Sequence, residues 1–261
     1  MTNVPSSAQI ETGLHGHVLT VTINRPDKLN AMTPAMAATL GEVIEWVNRS
    51  DEVRALVLTG AGDRAFSAGS DITALDAYAS PWDFRNRTDY CDALRRCLKP
   101  TIAAINGYAL GGGLETALSC DIRFASNTAK LGAPEVKLGW IGGGGMSALL
   151  SKAAGASNAA LMLMTGDPID ARRAQDWHLV TEVLEPDLLV AHAQQVAETI
   201  ASRAPIAVET AKINLRAAPG MAEDQALAYE RDLQTICFAT EDAREGRLAF
   251  TERRTPVFHR R

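Results

Sequence analysis

The run Thr101-Ile-Ala-Ala-Ile-Asn-Gly-Tyr-Ala-Leu-Gly-Gly-Gly-Leu-Glu115 constrains this chain more than any other. Its first five residues are apolar or β-branched and follow Pro100, the pattern of a buried strand. Its end, continued by Thr116-Ala-Leu118, reads as the first turns of a helix. Three glycines at such a junction let backbone N–H groups approach a ligand with no Cβ in the way. The start of a helix adds unpaired donors and the positive end of the dipole. Together they suit an oxygen that becomes negative during a reaction, and Glu115 brings a carboxylate to the same point. A tight strand-to-helix turn with a solvated glutamate would use the same residues.

With 261 residues and 46% hydrophobic content, the chain can bury the core of one large domain, with or without a helical appendage. A net charge of −5 excludes a nucleic-acid binder that works through overall positive charge. No stretch approaches the roughly 20 apolar residues of a membrane span. The start, Met-Thr-Asn-Val-Pro-Ser-Ser, lacks the basic and apolar regions of a signal peptide. Cys91, Cys97, Cys120 and Cys237 show no C-x-x-C spacing, so the expectation is a reducing, cytoplasmic setting without a disulfide framework. The five histidines are scattered, and His15-Gly-His17 suits a hairpin turn better than a ligand pair, so no metal site is expected.

Taken in order, residues 10–14 and 18–23 alternate apolar and polar about Gly16, a β-hairpin. Thr33-Pro34 marks a capped helix start, and Met36, Leu40, Val43, Ile44 and Val47 space a helix ending near Ser50. Residues 54–59 form a second buried strand, residues 80–84 an irregular segment, and 86–98 a helix. The strands at 101–105 and 121–125 follow. Strand and helix alternate as in repeated α/β units. Beyond Ala154 the spacing predicts helices at 157–165, 170–176, 187–203, 206–217, 222–238 and 241–252, with one strand at 179–184. The expected division is a core over 1–200 and a helical C-terminal region over 201–261.

Gly60-Ala-Gly62-Asp-Arg-Ala65 superficially matches the dinucleotide fingerprint, but Phe66-Ser-Ala-Gly69 interrupts any helix it could open. The segment Phe66-Ser-Ala-Gly-Ser-Asp71 is a second glycine-containing loop after a buried strand. If the strands ending at Thr59 and Ile105 are parallel neighbours, the Ser70 and Gly112 amides could converge on one oxygen. The competing reading makes Ser70 or Asp71 a helix N-cap. Glu135, in Leu131-Gly-Ala-Pro-Glu135, reads singly as a cap, but with Glu115 it could hold a water between base and acid. Met162 and Met164 read as core filling, Ser147 lacks the second glycine of a nucleophile elbow, and Arg260-Arg261 reads as a solvated tail.

Six stretches in one order resemble the enoyl-CoA hydratase/isomerase (crotonase) superfamily. They are Asn24-Arg-Pro-Asp-Lys-Leu-Asn-Ala31, Ala65-Phe-Ser-Ala-Gly-Ser-Asp71, Ile105 to Glu115, Cys120-Asp-Ile-Arg-Phe-Ala125, Leu131-Gly-Ala-Pro-Glu135 and Phe238-Ala-Thr-Glu-Asp-Ala-Arg-Glu-Gly246. The resemblance runs from about residue 10 to the end and is closest to the two-glutamate hydratases. It implies an α/β fold, a spiral of ββα units with a helical C-terminal trimerisation region. It also implies trimers or hexamers, an acyl-CoA thioester substrate, and no cofactor beyond the coenzyme A of that substrate. By position, Ser70 and Gly112 match the oxyanion-hole donors, and Glu115 and Glu135 the two catalytic glutamates. Lys28, Arg64, Ala68 and Asp71 fall in the CoA-contacting segments. Arg253 matches a basic position that can reach the CoA phosphates, sometimes across a subunit boundary.

The implied reaction is reversible addition of water across the 2,3 double bond of a 2-enoyl-CoA. A Δ3,Δ2-enoyl-CoA isomerase and a non-catalytic acyl-CoA-binding protein of the same fold are the alternatives. The chain departs from the resemblance in two places. Trp140-Ile-Gly-Gly-Gly-Gly-Met146 replaces a loop that usually carries proline, and Thr73 stands where a lysine is frequent. The first shapes the acyl pocket and leaves the acyl substituent open, and the segment Tyr78 to Phe84 is expected to add aromatic or polar character to that pocket.

Overall fold

The computed structural model describes residues 4–261. Met1, Thr2 and Asn3, the start of the segment read above for a signal peptide, lie outside the described residues. The chain opens with a hairpin of Ile10–His15 (β1) and Val18–Ile23 (β2), then helix α1 (Pro34–Arg49), β3 (Ala55–Gly60) and β4 (Ala65–Ser67). Three short helices follow, α2 (Ile72–Leu75), α3 (Pro81–Arg85) and α4 (Tyr90–Arg95). Next come β5 (Thr101–Ile105), β6 (Tyr108–Leu110), α5 (Gly112–Ser119), β7 (Ile122–Ser126) and β8 (Lys130–Gly132). The remainder holds α6 (Met146–Ala154), α7 (Ala156–Thr165), β9 (Ile169–Asp170), α8 (Ala171–Asp176), β10 (Glu182–Leu184) and α9 (Pro186–Ala201). The chain closes on α10 (Pro205–Ala217), α11 (Glu223–Phe238) and α12 (Glu241–Glu252).

Two sheets organise these elements. The larger runs β1-β2-β3-β5-β7-β10 and is parallel beyond the hairpin; the smaller runs β4-β6-β8-β9. After the hairpin and α1, three successive passes each contribute one strand to the large sheet, one to the small sheet, and then helix. This stacks β3-β4, β5-β6 and β7-β8 as successive turns of a spiral.

Both faces of the large sheet are covered, which is why its central strands read as unbroken apolar runs. Along β3 the side chains alternate: Leu56 and Leu58 enter the main core, whereas Ala55 and Val57 pack with Leu189, Ala193 and Ala197 of α9. Helix α1 buries Met36, Leu40, Val43, Ile44 and Val47 against the main core, each large side chain worth about 1.5–3 kcal/mol. Thr33 caps it by accepting from the Met36 amide at 3.2 Å, with Pro34 at the first helical position, as its sequence predicts.

Several expectations needed correction. The helix expected over 86–98 is confined to Tyr90–Arg95, because Asp89 is extended and caps it by accepting from Cys91 N. Residues 80–84 are not irregular: Ser80 caps the short α3, with Pro81 inside it. Helix α6 was not anticipated behind the glycine run that precedes it. Only the last residues of the 179–184 strand pair with β7. Met162 is core, but Met164 is 79% exposed. Arg260 is no solvated tail, since it pairs with Asp51 at 2.7 Å and Glu209 at 3.0 Å.

Helix α10 is tied to the core by buried charge. Lys99, 1% exposed, reaches Glu209 at 2.6 Å; Lys212 reaches Asp121 at 2.7 Å and the Lys99 carbonyl at 2.6 Å; Arg216 reaches Asp121 at 2.7 Å. No described helix is long and apolar enough to cross a membrane.

Candidate active site

β3 and β5 are parallel neighbours, pairing Thr59 with Ala104, so the loops leaving their C-terminal ends meet. Two asparagines fix those loops. The fully buried Asn30 donates to the carbonyls of Ala61 (3.0 Å) and Ala65 (2.6 Å), and Asn106 donates to those of Gly60 (2.9 Å) and Gly62 (2.6 Å). Met32 then grips both neighbours of Ser70: its N–H donates to Gly69 O at 2.8 Å, and its carbonyl accepts from Asp71 N at 2.8 Å. Alternation along this strand-like segment turns the Ser70 N–H the other way, and it has no partner among the described residues.

The Gly112 amide, at the first turn of α5, is likewise without a partner among the described residues. Gly69 lies against it with φ +92, and a Cβ there would come within 2.8 Å of Gly112 N. A side chain on Gly112 would overlap the Tyr90 hydroxyl, which hydrogen-bonds Ser70 Oγ at 3.0 Å. Burial pushes the Tyr90 phenol well above its usual range, so it stays neutral and serves as a post between the two amides.

Ser70 and Gly112 line a cavity of about 380 Å³ together with Glu115 and Glu135. Glu115 is 5% and Glu135 8% exposed. Glu115 Oε1 accepts from Gly144 N at 2.8 Å, on the glycine loop before α6, and from Met146 N at 3.1 Å, the first residue of that helix. Arg95 steadies that loop by donating to Gly144 O at 2.5 Å. Glu135 follows Pro134 in a 3-10 turn, and its Oε2 is buried with no hydrogen-bond partner. Burial raises both carboxyls above the usual range; the amides of Gly144 and Met146 pull Glu115 back, while the Glu135 charge pushes it further up. The hydrogen bonds thus separate the two acids. Two donors favour the ionised form of Glu115, whereas only its own backbone amide favours a charge on Glu135, whose Oε2 has no partner.

Ala68 also lines the cavity; Lys28, Arg64, Asp71 and Arg253 do not. Lys28 is exposed beside Leu29, whose carbonyl accepts from Ala68 N at 2.9 Å, so it stands near that rim. Arg64 is exposed just before β4, and Arg253 is exposed in the left-handed C-cap of α12. Asp71 has the capping role weighed from the sequence: it caps α2 through Thr73 N at 3.1 Å and pairs with Arg25 at 2.6 Å. Bonds from Thr73 and Arg25 hold its carboxyl below the usual range.

The Trp140 loop and the segment 78–84, both expected at the acyl pocket, supply Trp140, Ile141 and Phe84 to its apolar wall; sequence reasoning missed Tyr90, Arg87, Ile72, Leu75 and Leu138. Among the described residues no cluster of histidine, cysteine, aspartate or glutamate could hold a metal ion.

A family model for enoyl-CoA hydratase/isomerase matches residues 13–261. The chain is 39% identical over 247 residues to the (E)-benzylidenesuccinyl-CoA hydratase of Thauera aromatica, covering 93% of this chain and 95% of that protein. It is 39% identical over 242 residues to the short-chain-enoyl-CoA hydratase of Clostridium acetobutylicum, covering 92% and 93%. The crystal structure of an enoyl-CoA hydratase from Bacillus anthracis superposes with a TM-score of 0.93 at 32% identity, covering 97% of this chain and 100% of that one. Matched in sequence and in its crotonase fold along nearly its whole length, the chain belongs to the enoyl-CoA hydratase/isomerase family of enzymes.

Proposed function

We propose that the protein hydrates 2-enoyl-CoA thioesters, adding water across the 2,3 double bond reversibly. One observation carries this reading: two buried carboxyls in different hydrogen-bonding states share a cavity with two unpartnered amides. A thioester carbonyl placed between the Ser70 and Gly112 N–H groups gains stabilisation as charge moves onto its oxygen during attack at C3. A single such donor is worth about 3 kcal/mol of barrier. Glu115, poised as the carboxylate, takes a proton from the water as its oxygen bonds C3. Glu135, poised as the acid, gives a proton to C2, and the roles reverse in dehydration. Coenzyme A is part of the substrate, and no separate cofactor enters this scheme.

Lys28, near the Ala68 rim, and the exposed Arg64 are the proposed contacts for the CoA portion in this chain, and Arg253 for a neighbouring one. The exposed Leu227, Ile236, Phe238 and Phe250 on α11 and α12 support a trimeric or hexameric assembly that would cover them. Initial rates on 2-enoyl-CoA and 3-enoyl-CoA test the reading. Glu115→Ala and Glu135→Ala should each lower hydration of the 2-enoyl thioester at least 100-fold. Wild-type rates in both variants, or double-bond migration in place of hydration, would overturn it.

A further inference from the structure

The apolar wall of the cavity holds one cation, Arg87. Its side chain is 21% exposed and faces the space otherwise bounded by Ile72, Leu75, Phe84, Trp140 and Ile141. Its position along that space follows from the glycine loop. Gly144 donates to Glu115, and a Cβ on the adjacent Gly143 would lie 3.3 Å from an Arg87 terminal nitrogen. Arg87 therefore stands beside the loop that carries the Glu115 donors, and it also borders the neighbouring cleft next to Ser70 and Tyr90. On the hydratase reading, the apolar wall that Arg87 interrupts is the surface left for the acyl chain past C3.

The guanidinium is held but not saturated. One nitrogen donates to Phe84 O at 2.8 Å, and the group lies 4.3 Å above the Phe84 ring. Its ionic partner Asp89 is 3.5 Å away, longer than the roughly 2.7–2.9 Å of a charge-assisted bond, and the other Asp89 oxygen is committed to Cys91 N at 2.8 Å. A guanidinium carries five N–H donors, so several remain to be satisfied. A plain alkyl tail entering this pocket would strip water from a cation and return nothing to it. A carboxylate would return a charge-assisted bond to the donors left over.

We infer that Arg87 selects 2-enoyl thioesters whose acyl chain carries a carboxylate beyond the double bond, a specificity that rests on the hydratase reading. The alternatives are a purely structural Arg87, holding α3 against α4, and an Arg87 that binds the phosphates common to every CoA thioester. Paired substrates separate them: straight-chain 2-enoyl-CoA thioesters of four to eight carbons, each with and without a terminal carboxylate.

Wild type should show at least a tenfold higher kcat/KM for the carboxylated member of one pair. Arg87→Met should erase at least tenfold of that ratio, mainly through KM, and Arg87→Lys should restore part of it. A wild-type preference for the neutral member at every length would overturn the inference while leaving the hydratase reading intact. So would an Arg87→Met variant that lowers both members of each pair in parallel, the outcome expected of a structural or phosphate-binding role. Turnover of neither series would overturn both readings together.

Discussion

Substituting alanine for Gly112 tests whether the amide at the start of α5 polarises the thioester. The new methyl would occupy the place of the Tyr90 hydroxyl, with Tyr90 Cζ at 3.2 Å and Gly69 Cα at 3.4 Å behind it. Tyr90 is 7% exposed and cannot swing into solvent without opening the core, so the helix start must shift or the ring must press on Ser70. Either movement misaims an amide. Losing one donor costs about 3 kcal/mol, roughly 100-fold in kcat at about 1.4 kcal/mol per decade. Removing the obstructing oxygen should reverse part of the damage. Tyr90→Phe alone forfeits one hydrogen bond to Ser70 Oγ, about 1 kcal/mol, and should reduce kcat less than tenfold. In the double variant the methyl meets only a ring carbon at 3.2 Å, a contact that small adjustments relieve. The double variant should therefore turn over at least tenfold faster than Gly112→Ala, a coupling of about 1.4 kcal/mol or more. Initial rates of 2-enoyl-CoA hydration, with thermal unfolding to establish that each variant folds, complete the cycle. A wild-type kcat in Gly112→Ala, or a double variant no faster than that single one, would refute the role assigned to this amide.

The pH dependence of stability should report the buried acid. Because burial raises the Glu135 carboxyl, the folded state holds its proton to higher pH than the unfolded chain does. Near pH 3, below the ordinary carboxylate range, both states are largely protonated and the penalty is absent. As pH rises through that range and then through the raised value, wild type loses stability that Glu135→Gln keeps. The Tm difference in favour of Glu135→Gln should thus open as pH rises above the ordinary carboxylate range, and a gap that closes with rising pH contradicts the assignment. At the base of α10, Lys99→Met should cost about 3 kcal/mol in urea unfolding, because it strands a carboxylate whose remaining partner is Arg260. A loss below about 1 kcal/mol would mean that Arg260 alone satisfies Glu209.

What could be read from the sequence was what depends on near neighbours. The stripe of Met36, Leu40, Val43, Ile44 and Val47, the Thr33-Pro34 start, and the run from Thr101 to Ile105 carry their own periodicity and caps, so their elements fall where expected. The C-terminal helices follow for the same reason. Three-residue strands such as β4, β6 and β8 do not, because they are strands only by virtue of partners about 20 to 45 residues away. At the site, Ser70, Gly112, Glu115 and Glu135 were legible because glycine, proline and acid cluster at strand ends. Tyr90 and Arg87 were not. Nothing local distinguishes them, and they face the cavity only because the segment holding α2, α3 and α4 folds back over β4 and α5. Met164 and Arg260 were misjudged in opposite directions, since exposure of one and pairing of the other are settled by distant chain.

The two ends of the cavity are built from different stock. At one end, Asn30, Asn106, Met32 and the small sheet clamp the backbone that carries the Ser70 and Gly112 amides, so that end has almost no play. At the other, the walls are side chains on short helices and on the 138–143 loop, several of them half in water. Replacing a residue there alters the shape and charge that a tail encounters without moving the point where its carbonyl is gripped. A rigid anvil facing a wall of exchangeable tiles lets one chemistry be refitted to many tails, with Arg87 as one such tile.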